Sequence, residues 1–357
     1  MIYPARFSLQ WILLLLLLMG AARLGYAQPA VSTHQGVAAS SGNSAPAQAA
    51  QGDLVAWLRR MHEASRVTSY MGTFVVSAPS GDLSSARIWH ACDASANTQV
   101  ERVETLTGPP RTTFRRDDLV LTFLEDTRVV RSEKRSDFEQ FPSVGKPDDD
   151  IGQHYDVKVL GKGRIAGFAT DVIQLVPRDD LRFGYRIWVE KRTGLLTKLQ
   201  TLAADGRVVE QAAFSELDLD APVNVQSLSR MMASTDGYQM EKVQVQRTTA
   251  QAEGWSLKEP IPGFRSMKCY RRAMHGGGEP ARTMQCIFSD GLASVSLFVE
   301  PYDAARQAKE GLLVLGATYT LMRRLSDGGS DWWLTAVGEV PPQTLDRFAR
   351  SIERVSR

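Results

Sequence analysis

The chain has 357 residues, 43% of them hydrophobic, three cysteines and a formal net charge of +2; length and apolar content together suffice for two separately cored domains. Its first 27 residues carry Arg6 and Arg23 and no acid, so the remainder is neutral. A chain so balanced has no electrostatic footprint for nucleic acid.

Arg6 precedes an apolar run from Trp11 to Met19, and Gly25-Tyr26-Ala27 offers the small residues that a signal peptidase reads. The run falls short of the roughly 20 apolar residues of a spanning helix. Residues 1–27 are therefore expected to be a signal peptide cleaved after Ala27, not a retained anchor. Residues 28–51 are mostly Ala, Ser, Gln, Gly and Pro and predict a disordered leader.

Asp53 is a candidate N-cap, and Leu54, Trp57, Leu58 and Met61 fall on one helical stripe. Six strand candidates follow at 73–78, 84–91, 98–106, 111–116, 119–124 and 128–134, separated by turns such as Pro79-Ser80-Gly81-Asp82 and Gly108-Pro109-Pro110. Between Asp137 and His154 the pattern breaks at Pro142, Gly145, Pro147 and Asp148-Asp149-Asp150, predicting a loop or a short helix over the sheet. From Asp171 to Phe214 the sequence reads as a four-stranded meander. Phe183, Tyr185, Ile187 and Val189 share one face and Arg182, Gly184, Arg186, Trp188 and Glu190 the other, with turns at Lys191-Arg192-Thr193-Gly194 and Asp205-Gly206. Together these strands predict a large, strongly curved antiparallel sheet over 52–222.

A polar stretch at 223–250 reads as the joint. Beyond it, 251–357 holds strand candidates at 264–272, 282–289, 292–299, 319–325 and 332–337, and a final helix begins near Pro341-Pro342 with Leu345, Phe348, Ala349 and Ile352 on its buried stripe. The fold class is mostly β with helices (α+β). The second unit, of about a hundred residues, is small for an ordinary enzyme domain. Cys269 and Cys286 are equidistant from the tip of a hairpin at Gly276-Gly277-Gly278, so they face each other and are expected to form a disulfide in an exported protein. Cys92 reads as a small buried hydrophobe, because Trp89-His90-Ala91-Cys92 contains no redox motif.

Five histidines, His34, His62, His90, His154 and His275, are scattered without metal-ligand spacing, and there is no nucleophile elbow, phosphate loop or dinucleotide fingerprint. Asp148-Asp149-Asp150 lacks the alternating positions of a calcium loop and reads as a solvated turn. No catalytic residue, metal or cofactor is assigned. What remains is binding. Phe74, Trp89, Phe123 and Trp188, with Phe114 and Tyr185, supply aromatic surface to the sheet, as lining of an apolar lipid groove or as plain core. Arg271, Arg272, Arg282, Arg323 and Arg324 form either a basic face for phosphate-bearing lipid or acidic peptide, or a scattered solvated surface.

An ordered series of blocks carries a resemblance: Gly163-Arg164-Ile165-Ala166, Arg186-Ile187-Trp188-Val189, Asp205-Gly206, Ser289-Asp290-Gly291-Leu292 and Val337-Gly338-Glu339-Val340-Pro341-Pro342-Gln343-Thr344. From about residue 52 to its end the chain resembles the RseB/MucB family of periplasmic negative regulators of the envelope-stress sigma factor. The resemblance implies a half-open barrel of the lipoprotein-carrier (LolA-like) type followed by a smaller domain. It also implies binding to the periplasmic part of a membrane-spanning anti-sigma factor of the RseA/MucA type, protection of that part from the site-1 protease, and release by lipid or lipopolysaccharide. A lipid or lipoprotein carrier using the same barrel is the alternative, and a hydrolase with unassigned carboxylates is a third. Self-association as a homodimer stays open.

Overall fold

A computed structural model describes residues 47–355 apart from 94, 96, 135–149, 244, 275–280, 308 and 328. The expected signal peptide, most of the leader, the break around Pro142 and the triple-glycine tip lie outside the described residues.

Eleven strands build the first domain: β1 (Tyr70–Ser77), β2 (Leu83–Asp93), β3 (Thr98–Thr105), β4 (Arg111–Arg116), β5 (Leu119–Leu124), β6 (Val129–Lys134), β7 (Tyr155–Ile165), β8 (Phe168–Pro177), β9 (Gly184–Glu190), β10 (Leu196–Leu202) and β11 (Val208–Asp218). Each of the two runs β1–β6 and β7–β11 pairs with its sequence neighbours, and β1 pairs antiparallel with β11 to join them. With β12 (Gln239–Lys242), parallel to β6, they form one 12-stranded sheet in the order β12-β6-β5-β4-β3-β2-β1-β11-β10-β9-β8-β7. The sheet does not close on itself.

Helix α1 (Ala47–Val67) occupies the concave side. Its Leu54, Leu58 and Met61 share one core with Phe74, Ile88, Ile173, Ile187 and Phe214. Ile88 and Ile187 sit on strands separated by three others, so the sheet must curl round the helix to bring both to it. The helix begins before Asp53, which is thus inside it and not its cap. Ala47, Ala49 and Ala50 with their glutamines are strong helix formers, and they extend the helix back into the stretch expected to be disordered.

The expected joint at 223–250 is structured. Helix α2 (Val225–Ala233) starts at Asn224, whose side chain accepts from Ser227 N at 2.8 Å, and it lays Leu228 and Met232 on the convex side of the first sheet. β12 still belongs to the first sheet, whereas β13 (Val245–Thr248) pairs in the second. The chain therefore crosses from the first sheet to the second between Lys242 and Val245.

The second sheet adds β15 (Arg265–Met274), β16 (Ala281–Ser289), β17 (Ser294–Pro301), β18 (Gly311–Leu315), β19 (Thr318–Ser326) and β20 (Asp331–Gly338), ordered β13-β15-β16-β17-β20-β19-β18. Helix α3 (Pro342–Ser351) covers it with Leu345, Phe348 and Ala349 against Phe288, Val295, Leu297 and Leu334. Ile352, expected on that helix, instead opens β21 (Ile352–Arg354), which pairs with β14 (Trp255–Leu257), and its side chain still joins the core. Cys269 and Cys286 are directly opposed on β15 and β16, with Cα atoms 4.1 Å apart, and are disulfide-bonded within this core.

Candidate binding surface

The four aromatic residues expected to line one groove do not share a face. Phe74 points inward, fully buried beneath α1, edge-on to Phe214 at 6.1 Å. Trp89 follows Ile88 on β2 and so points outward; there the Arg102 guanidinium lies 4.3 Å over its ring and α2 packs alongside. Phe123 is on this outer side too, buried between Phe114 (5.6 Å) and Tyr238 (5.3 Å). Trp188, between the inward Ile187 and Val189, faces outward on the far wing under the Lys198 ammonium at 4.7 Å. Burial, with the charge of Arg186, pushes the Lys198 pKa down. Residue type announces aromatic surface but not its side of the sheet, and strand parity sets that side for Trp89 and Trp188.

The five arginines are likewise not one face. β15 and β19 are separated by β16, β17 and β20, and consecutive residues on a strand point to opposite sides. Arg271 bonds Glu253 at 2.5 Å, Arg272 donates to Gln285 at 2.7 Å, Arg323 pairs with Asp346 at 3.0 Å and Arg324 pairs with Asp331. Arg282 lies on β16 opposite Ala273. Arg271, Arg323 and Arg324 thus meet acids, and the five arginines are spread over three strands of the sheet.

Consecutive exposed apolar residues occur instead at two sheet edges that sequence reasoning passed over. On β7, an edge of the first sheet, Val159 is 66% and Leu160 48% exposed. Pairing with β8 slips between Val159 and Gly161, and Gly161 at φ +127° takes up the irregularity, so Leu160 is left out of register. Lys158, Lys162 and Arg164 are exposed on the same strand, while its acid, Asp156, is held by Arg178 at 2.6 Å. On β18, an edge of the second sheet, Leu312, Leu313 and Val314 are exposed in succession. An edge strand presents unpaired backbone N–H and C=O groups, and natural edges are normally guarded by charge, proline or shortness. Here one edge is cationic and apolar, and the other is apolar.

Between the two domains lies a buried polar pin. Arg182, just ahead of β9, donates from Nη1 to Asp290 at 3.0 Å, from Nη2 to the Pro262 carbonyl at 2.9 Å and from Nε to Asp179 at 3.0 Å. The Arg182 and Asp290 side chains are both fully buried. Asp290 also accepts from Tyr155 Oη at 3.3 Å and from the backbone of Leu292 (2.9 Å) and Ala293 (2.7 Å). Burial pushes the Asp290 carboxyl up, opposed by Arg182 and by those backbone bonds. His154 packs against Gly263, whose φ of +78° and lack of a Cβ leave room for the ring, and burial and the Arg182 charge hold its pKa down. Around the pin, Thr344 Oγ1 donates to the Leu181 carbonyl at 2.7 Å and the Ala317 N–H to Glu210 at 3.1 Å. Leu181 enters the second core, while Leu292 and Leu315 pack on the first. Cys92, expected to be buried, is only half-buried and lies beside His90.

Residues 53–232 match the model of the MucB/RseB N-terminal domain, and residues 249–353 that of the MucB/RseB C-terminal domain. The chain is 28% identical over 304 residues to the sigma factor AlgU regulatory protein MucB of Pseudomonas aeruginosa, a match covering 84% of this chain and 90% of that protein. To the sigma-E factor regulatory protein RseB of Escherichia coli it is 26% identical over 305 residues, covering 84% and 90%. A crystal structure of MucB in complex with MucA(peri) aligns with a TM-score of 0.64 at 27% identity over 85% of this chain and 99% of that one. The complex of MucA and MucB from Pseudomonas aeruginosa gives 0.66 at 26% identity, over 85% and 100%.

Proposed function

Because the chain belongs to the MucB/RseB family, we propose that it is a periplasmic regulator that binds the periplasmic segment of a membrane-spanning anti-sigma factor. Bound there, it shields that segment from the site-1 protease, and lipid or lipopolysaccharide releases it. The observation that carries this reading is the alignment, through both domains, with MucB in complex with MucA(peri). The surface agrees with it. Extended peptide adds to a free sheet edge through backbone bonds and gains specificity from alternate side chains; β7 offers such an edge with Lys158, Lys162 and Arg164 for acidic side chains and Val159 and Leu160 for apolar ones.

Release follows from linkage. Lipid moves the equilibrium only as far as it binds the partner-free form better, and the partner must weaken lipid binding by the same factor.

The test is a proteolysis assay in which mature protein is mixed with the soluble anti-sigma segment and the site-1 protease, with and without lipopolysaccharide. Slower cleavage with the protein, restored by lipopolysaccharide, is expected. Equal cleavage with and without the protein removes the shielding role. Slowed cleavage that lipopolysaccharide leaves unchanged removes lipid sensing alone.

A further inference from the structure

Cys92 stands at the end of β2 with its Sγ 3.4 Å from Ser69 Oγ, and the Cys92 backbone N–H donates to that hydroxyl at 3.1 Å. His90 lies two residues earlier and therefore on the same face, 2% exposed, with its ring in hydrogen-bonding reach of the thiol. Strand register then sets Tyr70, His90, Glu101 and Arg115 in one row across β1 to β4. The Tyr70 ring stacks on the imidazole with centroids 5.2 Å apart, His90 Nδ1 is 3.4 Å from Glu101 Oε2, and Arg115 is 3.9 Å from the same oxygen.

Neither ring nitrogen of His90 completes an aligned hydrogen bond in this arrangement. A buried imidazole short of aligned hydrogen bonds costs stability. Transfer of the thiol proton removes the cost, because the imidazolium then sits between the thiolate and Glu101.

We infer that Cys92 is a modification site for hydroperoxides, with His90 as its base and Glu101 and Arg115 as positioning residues. His90 takes the thiol proton, and the thiolate attacks one peroxide oxygen. The S–O bond forms as the O–O bond breaks, and the electron pair leaves with the other oxygen. That oxygen recovers the proton from His90 as water, or as an alcohol from an organic peroxide. Sulfur is oxidised and peroxide reduced by two electrons each, leaving a sulfenic acid.

The electrostatics run the same way. Burial works against the charged form of His90, but the neighbouring Cys92 thiol and Glu101 carboxylate outweigh burial and Arg115, so its pKa is raised. Burial and Asp93 would lift the Cys92 thiol, yet His90 and Ser69 bring it below the ordinary value. Cys269 and Cys286 are bonded to each other, so the chain has no resolving thiol and the sulfenic acid waits for an external one. This inference does not depend on partner binding.

The test uses the full mature chain with its disulfide intact. Equimolar hydrogen peroxide should add one oxygen at Cys92, trapped by dimedone and located by mass mapping. Iodoacetamide alkylation of Cys92 should inflect below the roughly 8.5 of a free thiol, and His90→Asn should slow it about tenfold at pH 7. Glu101→Gln should move the inflection upward by less. The profile of the unsubstituted chain decides even where His90→Asn fails to fold. An inflection at or above that of the denatured chain, or no dimedone adduct, overturns the inference.

Discussion

The two sheets cover their faces by different means. The first, of 12 strands, curls round α1 and lays α2 on its convex side, and no covalent bond ties it. The second has seven strands, one covering helix and a disulfide through the middle of its core. The contrast follows from surface-to-volume scaling: a domain of about a hundred residues buries a smaller share of its chain than a larger one and gains more from a staple. Neither core is complete by itself, since Leu181 crosses into the second and Leu292 and Leu315 into the first.

The largest expected effect comes from breaking that exchange. Arg182→Ala leaves the Asp290 carboxylate buried without its counter-charge, which costs on the order of 3–5 kcal/mol. Urea unfolding followed by tryptophan fluorescence and circular dichroism should show a lower midpoint and, with the pin gone, separate transitions for the two domains. A variant within about 1 kcal/mol of the parent would mean that Arg182–Asp290 is a bystander to domain docking.

Much of this architecture was legible. The strands of β1 to β6 and of β8 to β11 were found because one face is buried, which forces alternation, and because Gly, Pro and Asp mark the turns between them. β7 and β18 were missed for the converse reason. Residues 158–162 and 311–314 are exposed on both sides, so there is no alternation to read. The blocks that carried the family resemblance are now intelligible: Asp290, Leu292, Gln343 and Thr344 all touch the first domain, Gln343 through the Asp180 carbonyl at 2.7 Å. That Arg182 would meet Asp290 was not visible, because 108 residues separate them. For Cys92, the shared face with His90 follows from parity, but the third member, Glu101, depends on strand register.

The staple itself gives the second effect. Closing a loop of 17 residues between Cys269 and Cys286 is worth roughly 3 kcal/mol in the chain-entropy model. Reduction, or Cys269→Ser with Cys286→Ser, should therefore lower the melting temperature and affect the second domain before the first. Uniform destabilisation of both, read from hydrogen exchange on each sheet, would show that the domains melt as one unit and that the contrast between them has no energetic meaning.

The smallest effect sharpens the contrast by testing the first domain's non-covalent counterpart of that staple, the turn between β9 and β10. Glu190, 4% exposed, accepts from the Arg192 N–H at 3.0 Å and from both the N–H and Oγ1 of Thr193 at 2.6 Å. Arg60 of α1 donates to the carbonyls of Glu190 and Lys191, so the same turn holds the helix that fills the barrel. Burial opposes ionisation of Glu190, but the bonds from Thr193 and Arg192 outweigh it and hold the carboxyl below the usual range. A carboxylate favoured by folding supplies stability that is full above its unfolded pKa and is lost as pH falls through the folded one. Glu190→Gln should thus cost about 1–2 kcal/mol near pH 7, and the gap to the parent should narrow from about pH 5 downward. If the gap is the same at pH 7 and pH 3, the loss comes from packing in the turn, and the charge on Glu190 has no part in holding α1 against the sheet.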